Sequence, residues 1–160
     1  MAKVLRRTLV RCCRKAGFRV CQFSIQKDHI HLVVEADHHE ALARGMQGLA
    51  ISAAKRINGA LGRRGSVFLE RYRCTPVRNP TQMRATLVYV LHNARRHGSR
   101  RRGADPFSSA RYFDGWKRAT GLPPPEAERP VAPASTPLLS RDWRFLGLID
   151  PEDTPPAARR

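Results

Sequence analysis

The hydrophobic and polar positions follow two different periods in the first part of the chain. Over residues 4–16, apolar side chains recur every three or four positions with basic side chains between them, which predicts an amphipathic helix ending near Gly17. Residues 18–25 and 29–35 carry runs of aromatic and β-branched side chains that are typical of strands, and residues 26–28 suit a turn between them. The pattern therefore predicts a helix followed by a β-hairpin.

Two further helices and a strand region are predicted downstream. A single apolar stripe over residues 39–61 indicates a long helix. Residues 67–77, with the sequence VFLERYRCTPV, predict one strand or two short ones. Asn79 followed by Pro80 is typical of a helix start, and this helix is expected to run to about Arg96.

Composition divides the chain into three parts. Residues 1–116 contain the predicted helices and strands and are expected to form one α+β domain. Residues 117–137 become rich in proline and alanine, which predicts an extended linker. Residues 138–160 begin with LLSRDWRFLGLIDP, and the apolar side chains of this run predict a segment that docks back on the domain.

The charge of the chain indicates the class of partner. Its 160 residues include 30 Lys and Arg against 13 Asp and Glu, for a net charge of +17 and an isoelectric point near 11.3. This excess predicts a polyanionic partner, and nucleic acid fits better than a membrane because no apolar run approaches the roughly 18 residues of a spanning helix. A cytoplasmic protein is expected because the N-terminus lacks the pattern of a signal peptide.

Two histidines, His29 and His31, stand at the start of the second predicted strand. Side chains alternate along a strand, so both histidines share a face with Val33 and Glu35, while the opposite face is apolar. The spacing allows both imidazoles to converge on one cation. The alternative is two polar residues on a half-solvated strand, and an isolated HxH motif does not decide between them.

A second candidate pair lies on the helix that is expected to begin after Asn79. Tyr89 and Asn93 are four positions apart, which places a phenol and an amide on one helix face. The alternative is that Tyr89 is a core aromatic residue of an otherwise apolar helix.

Taken together, these motifs resemble those of the HUH single-tyrosine transposases, especially the branch related to the REP-associated tyrosine transposases. The similarity covers residues 18–97 and rests on His29-Ile-His31 followed by LVV, on GRRGSVFLERYRCTPVRNP, and on Tyr89-Val-Leu-His-Asn93. The resemblance implies a ferredoxin-like α+β domain. It also implies that Tyr89 attacks single-stranded or hairpin DNA to form a 5′-phosphotyrosine, and that His29, His31 and Asn93 bind Mg²⁺ or Mn²⁺.

The chemistry of these side chains is consistent with that role. A phenol with a pKa of about 10 is a poor nucleophile at neutral pH, and a cation on the scissile phosphate would assist its attack. The chain has no Walker-type GxxxxGK[ST] segment, and none is required. We expect the DNA backbone to be held by a set of arginines, namely Arg6, Arg7, Arg11, Arg63, Arg64, Arg71, Arg73, Arg95 and Arg96.

The sequence departs from the family pattern in two places. Relatives usually begin with a strand that pairs near the histidine strand, whereas this chain starts at the first helix. The strand is expected to lie upstream of the given start, to have been lost, or to be replaced by a partner chain or the C-terminal run. An open strand edge would favour association, and a homodimer is one expected consequence. After Asn93, many relatives have proline where this chain has Ala94.

Two other functions remain open from the sequence. One is a non-catalytic protein of the same descent that binds hairpin or single-stranded nucleic acid. The other is a basic, RNA-associated structural protein in which the placement of His29, His31, Tyr89 and Asn93 is coincidental.

Overall fold

The structure, a computed structural model, describes residues 1–93 and 103–154. The elements up to residue 93 are α1 (Ala2–Cys12), β1 (Arg14–Lys15), β2 (Phe18–Ile25), β3 (Ile30–Ala36), α2 (His39–Ala60) and α3 (Pro80–Leu91). The later part contains the short helix α4 (Pro137–Ser140) and 3₁₀ turns at Ala110–Tyr112 and Asp142–Leu146. Arg95 and Arg96 lie outside the described residues.

The three strands form one antiparallel sheet in the order β1-β2-β3. Ile30, Leu32 and Val34 of β3 pack with the buried side chains of α1 and α2. Val33 points to the opposite face, where it joins the buried side chains of α3. The alternation predicted for this strand therefore separates two apolar cores, and the predicted α+β fold with helices packed on an antiparallel sheet is confirmed.

The end of the first helix differs from the prediction. α1 stops at Cys12, and Arg14–Lys15 instead pairs with the start of β2, with Lys15 opposite Phe18. The turn between these strands contains Gly17, whose φ is +69°, in the left-handed region that glycine adopts without steric cost. Gly17 thus makes a hairpin turn and does not end the helix.

The strand predicted over residues 67–77 is wrong, because no part of this segment pairs with the sheet. Most of its side chains are exposed, and the Leu69 side chain is 96% accessible to solvent. A β-prone run forms a strand only where it meets an unpaired edge and buries one face. Here residues 67–72 line a groove together with Ile30 and Leu32 of β3, without backbone pairing to that strand.

Residues 103–154 cover the outer edge of β2. The amide of Ile25 donates to the Phe107 carbonyl at 3.0 Å, and the amide of Ala132 donates to the Val20 carbonyl at 2.8 Å. Ala132 is buried although it lies in the predicted linker, and the division of the chain into domain, linker and docking segment stays a prediction.

The run LLSRDWRFLGLIDP packs on α3 and leaves the sheet edge beside β3 unfilled. Its Trp143 and Ile149 are fully buried in the core that contains α3. Along residues 32–36, none of the described segments pairs with the other edge of β3. The alternative in which this run replaces a first strand is therefore wrong, while the homodimer stays a prediction. None of the described helices is long and apolar enough to cross a membrane.

Candidate active site

Helix α3 begins as the sequence predicts and ends earlier. The Asn79 side chain accepts a hydrogen bond from the Gln82 amide at 2.9 Å, and Pro80 occupies the first turn, where its missing N–H costs nothing. The α-helix ends at Leu91 and is followed by a turn at His92 and a 3₁₀ residue at Asn93, while residues 94–96 of the predicted extension lie outside the described residues. α3 crosses the face of β3 that carries His31.

The two histidines of the HxH motif converge on one point. The Nε2 atoms of His29 and His31 lie 3.0 Å apart, and their rings meet edge to face with centroids 4.7 Å apart. Two nitrogen ligands at about 2.1 Å from a cation and at right angles to each other are separated by about 3.0 Å. The pair therefore has the spacing of two adjacent ligands of one metal ion.

The orientation of His29 is set by a carboxylate. Its Nδ1 lies 2.7 Å from Oδ1 of Asp28, so the Nδ1–H group donates to the carboxylate and Nε2 keeps its lone pair. This is the arrangement in which an outer-shell carboxylate fixes the tautomer of a metal-binding histidine. The sequence pattern predicts only a turn at Asp28, although a carboxylate directly before an HxH motif is itself a signal for such a partner.

Tyr89 lies next to the same histidine pair. Its hydroxyl oxygen is 3.3 Å from Nε2 of His31, and the two rings meet at 80° with centroids 5.0 Å apart. Its neighbours Leu87 and Val88 are buried in the core that also contains Val33 of β3, and Tyr89 itself is half-buried beside this core. A phenol and two imidazoles thus meet at one position of the surface.

Asn93 is fully buried, two residues beyond the end of α3. Both its Oδ1 and its Nδ2 lack a hydrogen-bond partner among the described residues. A buried amide without a partner costs free energy, so this side chain is suited to an additional ligand such as a cation. It makes no hydrogen bond to His29, His31 or Tyr89.

The donor set fits a divalent metal ion of the Mg²⁺ or Mn²⁺ class. No cluster of three or more His, Cys, Asp or Glu side chains with metal-binding geometry occurs in residues 1–93 and 103–154. Of the three predicted ligands, the structure brings the two imidazoles together, and two imidazoles with one amide oxygen would suit Mn²⁺ at least as well as Mg²⁺.

The arginines that were predicted to bind DNA fall into two groups. Arg6 is directed into the protein, where it contacts Glu126 at 3.2 Å and donates to the Tyr112 hydroxyl. Those with exposed side chains are Arg7, Arg11, Arg63, Arg64, Arg71 and Arg73. Arg73 is 3.6 Å from Glu70, and Arg71 lines the groove that opens at Asp28 and His29.

This groove has a volume of about 880 Å³ and is mainly apolar. Its walls come from α1, α2, the edge of β3 and residues 67–72. Its apolar lining includes Leu5 of α1, Met46 of α2 and Leu32 of β3, together with Phe68 and Leu69. His29 of the histidine pair therefore lies at this groove, which Arg71 also lines.

The comparison with known families bears on the part of the chain that forms this site. A family model described as "Transposase IS200 like" matches residues 1–93, which include the histidine pair, Tyr89 and Asn93. No curated protein and no solved structure shows significant similarity to the chain. The match extends over more than half of the 160 residues and over the α+β fold described above. The chain therefore belongs to the IS200-like transposase family.

Proposed function

We propose that this protein nicks and rejoins single-stranded or hairpin DNA through a covalent bond to Tyr89. The observation that carries the proposal is the 3.3 Å separation between the Tyr89 hydroxyl and Nε2 of His31, within a pair of imidazoles 3.0 Å apart. Membership of a transposase family supports DNA as the partner. A nucleophile and the groups that stabilise charge must meet at the reacting phosphate, and the proximity of Tyr89 to the two imidazoles supports this role.

In the proposed reaction, the Tyr89 oxygen attacks a backbone phosphorus atom. A bond forms between Oη and phosphorus, the bond to the 3′ oxygen breaks, the phenol proton passes to water, and water protonates the released 3′ oxygen. The product is a 5′-phosphotyrosine with a free 3′-hydroxyl, and the reverse attack joins strands without an external energy source. The contact with His31 holds the phenol in place for in-line attack.

His29, His31 and Asn93 are the residues that would hold Mg²⁺ or Mn²⁺. When bound, the ion would supply positive charge next to the phosphate, which favours attack by an oxygen nucleophile. Asp28 orients the His29 ring through Nδ1. The exposed arginines of α1 and of residues 63–73 would hold the DNA backbone, with a salt-dependent affinity.

The test is a denaturing gel of the protein with labelled single-stranded DNA that carries hairpins from around its own gene. Wild type with Mn²⁺ should give a slow-migrating covalent adduct that EDTA and Tyr89→Phe both abolish. The matched control is Tyr72→Phe, which changes an exposed tyrosine outside the histidine pair and should keep the adduct. An adduct that persists in Tyr89→Phe would overturn the assignment.

A second candidate is a hairpin-binding protein of the same descent without turnover. Two observations favour it: the Asn93 amide makes no hydrogen bond to the other site residues, and residues 32–36 of β3 lack a second pairing partner among the described segments. It predicts hairpin binding with no adduct under any metal condition, so the same gel together with a binding assay separates the two functions.

A further inference from the structure

We propose that residues 103–154, which lie beyond the family match, form a brace that sets the position of Tyr89 against His31. This inference rests on the proposed function of Tyr89. The brace connects β3 to α3 and connects the end of β2 to the C-terminal end of α3, and its positioning residues are Glu35 and Arg84. Neither residue belongs to the histidine pair or to the exposed arginines.

The first connection starts from the strand that carries the histidines. Glu35 shares a strand face with His31, and its side chain is only 8% exposed. One carboxylate oxygen accepts from the amide and hydroxyl of Ser135 at 2.8 and 2.9 Å, and the other accepts from the amide and hydroxyl of Thr136 at 2.9 and 2.6 Å. Four hydrogen bonds to one carboxylate fix the start of α4 on β3.

The second connection runs from this anchored segment to α3. Trp143 is fully buried among side chains of α3 and stacks on Phe113 at 5.6 Å between ring centroids. From the helix side, Arg84 donates to the carbonyls of Gly147 at 3.0 Å and Leu148 at 3.3 Å, and it pairs with Asp153 at 3.3 Å. The helix is thereby held between the sheet and the brace.

A third connection holds the end of α3 near Tyr89. The amide of Asp105 donates to the Leu91 carbonyl at 2.9 Å. The Asp105 carboxylate accepts from the Ser24 hydroxyl at 3.0 Å and from the Gln26 side-chain amide at 3.1 Å. Since Ser24 and Gln26 lie at the hairpin that carries His29, the brace ties the helix of the nucleophile to the hairpin of the histidines.

These three connections fix the distance between the Tyr89 hydroxyl on α3 and the His31 imidazole on β3. A misplacement of about 1 Å can cost on the order of 100-fold in rate even when the altered residue is remote from the reacting atoms. Loss of the brace should therefore slow the attack by Tyr89. It should leave hairpin affinity nearly unchanged, because Glu35 and Arg84 are not among the residues proposed to touch DNA.

The experiment compares Glu35→Ala, the milder Glu35→Gln and Arg84→Ala in the full chain, at a temperature where each variant is folded by circular dichroism. Glu128→Ala, which changes an exposed glutamate, is the matched control. We expect single-turnover formation of the covalent adduct to slow about 10-fold or more in the brace variants, with hairpin Kd within about twofold of wild type. A role in stability alone would lower the melting temperature and leave this rate unchanged.

A measurement that does not depend on adduct formation tests the brace independently of the proposed reaction. The Tyr89 and His31 rings, 5.0 Å apart between centroids, should give a nuclear Overhauser effect in wild type that weakens in the brace variants. Loss of this signal in folded variants, with no adduct in wild type, would support the brace and reject the enzymatic function. An unchanged signal and an unchanged rate in folded Glu35→Gln and Arg84→Ala would overturn the brace.

Discussion

The Nε2 atom of His31 lies 3.3 Å from the hydroxyl of Tyr89, although 58 positions separate the two residues in the chain. Two packing relationships produce this contact. Val33 is buried against α3, so the alternate residue His31 faces the same helix. Leu87 and Leu91 are fully buried in the same core as Val33 and hold α3 on this face of the sheet.

Removal of either histidine should abolish metal binding at the site. In His29→Ala or His31→Ala, the affinity for Mn²⁺ should fall by more than the roughly 10- to 100-fold typical of an outer-shell change, because a direct ligand is lost. Titration calorimetry or Mn²⁺ electron paramagnetic resonance measures this affinity. His39→Ala, which alters an exposed histidine at the start of α2, is the control and should bind like wild type.

A change at Asp28 should have a smaller effect of the same kind. Asp28→Asn weakens the 2.7 Å contact to Nδ1 of His29 and no longer favours the tautomer with Nε2 available. We expect about a 10-fold loss of Mn²⁺ affinity. The same titration checks it, and equal affinities of Asp28→Asn and wild type would contradict the outer-shell role.

Stability should depend on pH through Glu35. Burial alone would raise the pKa of Glu35, but the hydrogen bonds from Ser135 and Thr136 lower this pKa below its usual range. A carboxyl with a lowered pKa contributes stability above the unfolded pKa of about 4.3, and that contribution is lost as pH falls through the folded value.

The variant Glu35→Gln isolates this contribution. At pH 7 it should lower the free energy of unfolding by about 2 kcal/mol, and the difference from wild type should shrink as the pH falls from about 5 to 3. Urea unfolding at a series of pH values gives the difference. Glu128→Gln should remain within about 0.5 kcal/mol of wild type. A difference for Glu35→Gln that is the same at pH 7 and pH 3 would speak against the carboxylate contacts.

Only one of the four cysteines should react quickly with a thiol reagent. Cys12, Cys13 and Cys21 are buried, and burial raises the pKa of Cys21 to about 12, so its thiol stays protonated. Cys74 is exposed. Titration with an aromatic disulfide should give one fast equivalent in the native state and four in denaturant, and Cys74→Ser should remove the fast one. Rapid reaction of a second thiol would contradict the packing of β2 and α1.

Two glycines of α2 should respond in opposite ways to alanine. A Cβ atom at Gly45 would overlap the buried Phe18 ring, so Gly45→Ala should destabilise the fold by about 2 kcal/mol. At Gly59 the same atom meets open space, and Gly59→Ala should stabilise the helix by up to about 0.5 kcal/mol. Thermal or urea unfolding of both variants tests the packing of α2 on β2. Equal changes in the free energy of unfolding for Gly45→Ala and Gly59→Ala would contradict this packing.

Local sequence patterns determined the parts of the fold that depend on neighbouring residues. The hairpin of β2 and β3, the helix α2 and the Asn79 cap of α3 all form where periodicity and capping residues predict them. The two faces of β3 could also be predicted, since strict alternation places His29 and His31 opposite the apolar side chains.

Only the tertiary structure decided which segments pair or pack with each other. Residues 67–77 have the composition of a strand, yet they do not pair with the open edge of β3, and the C-terminal run packs on α3 where a sheet position was an alternative. The sequence also gave no sign that Glu35 would receive hydrogen bonds from residues a hundred positions away. Periodicity records which side of an element is buried, because burial repeats along the chain. It does not record the partner, because pairing and hydrogen bonding across the fold depend on which edges and polar groups remain unsatisfied once the other elements have packed.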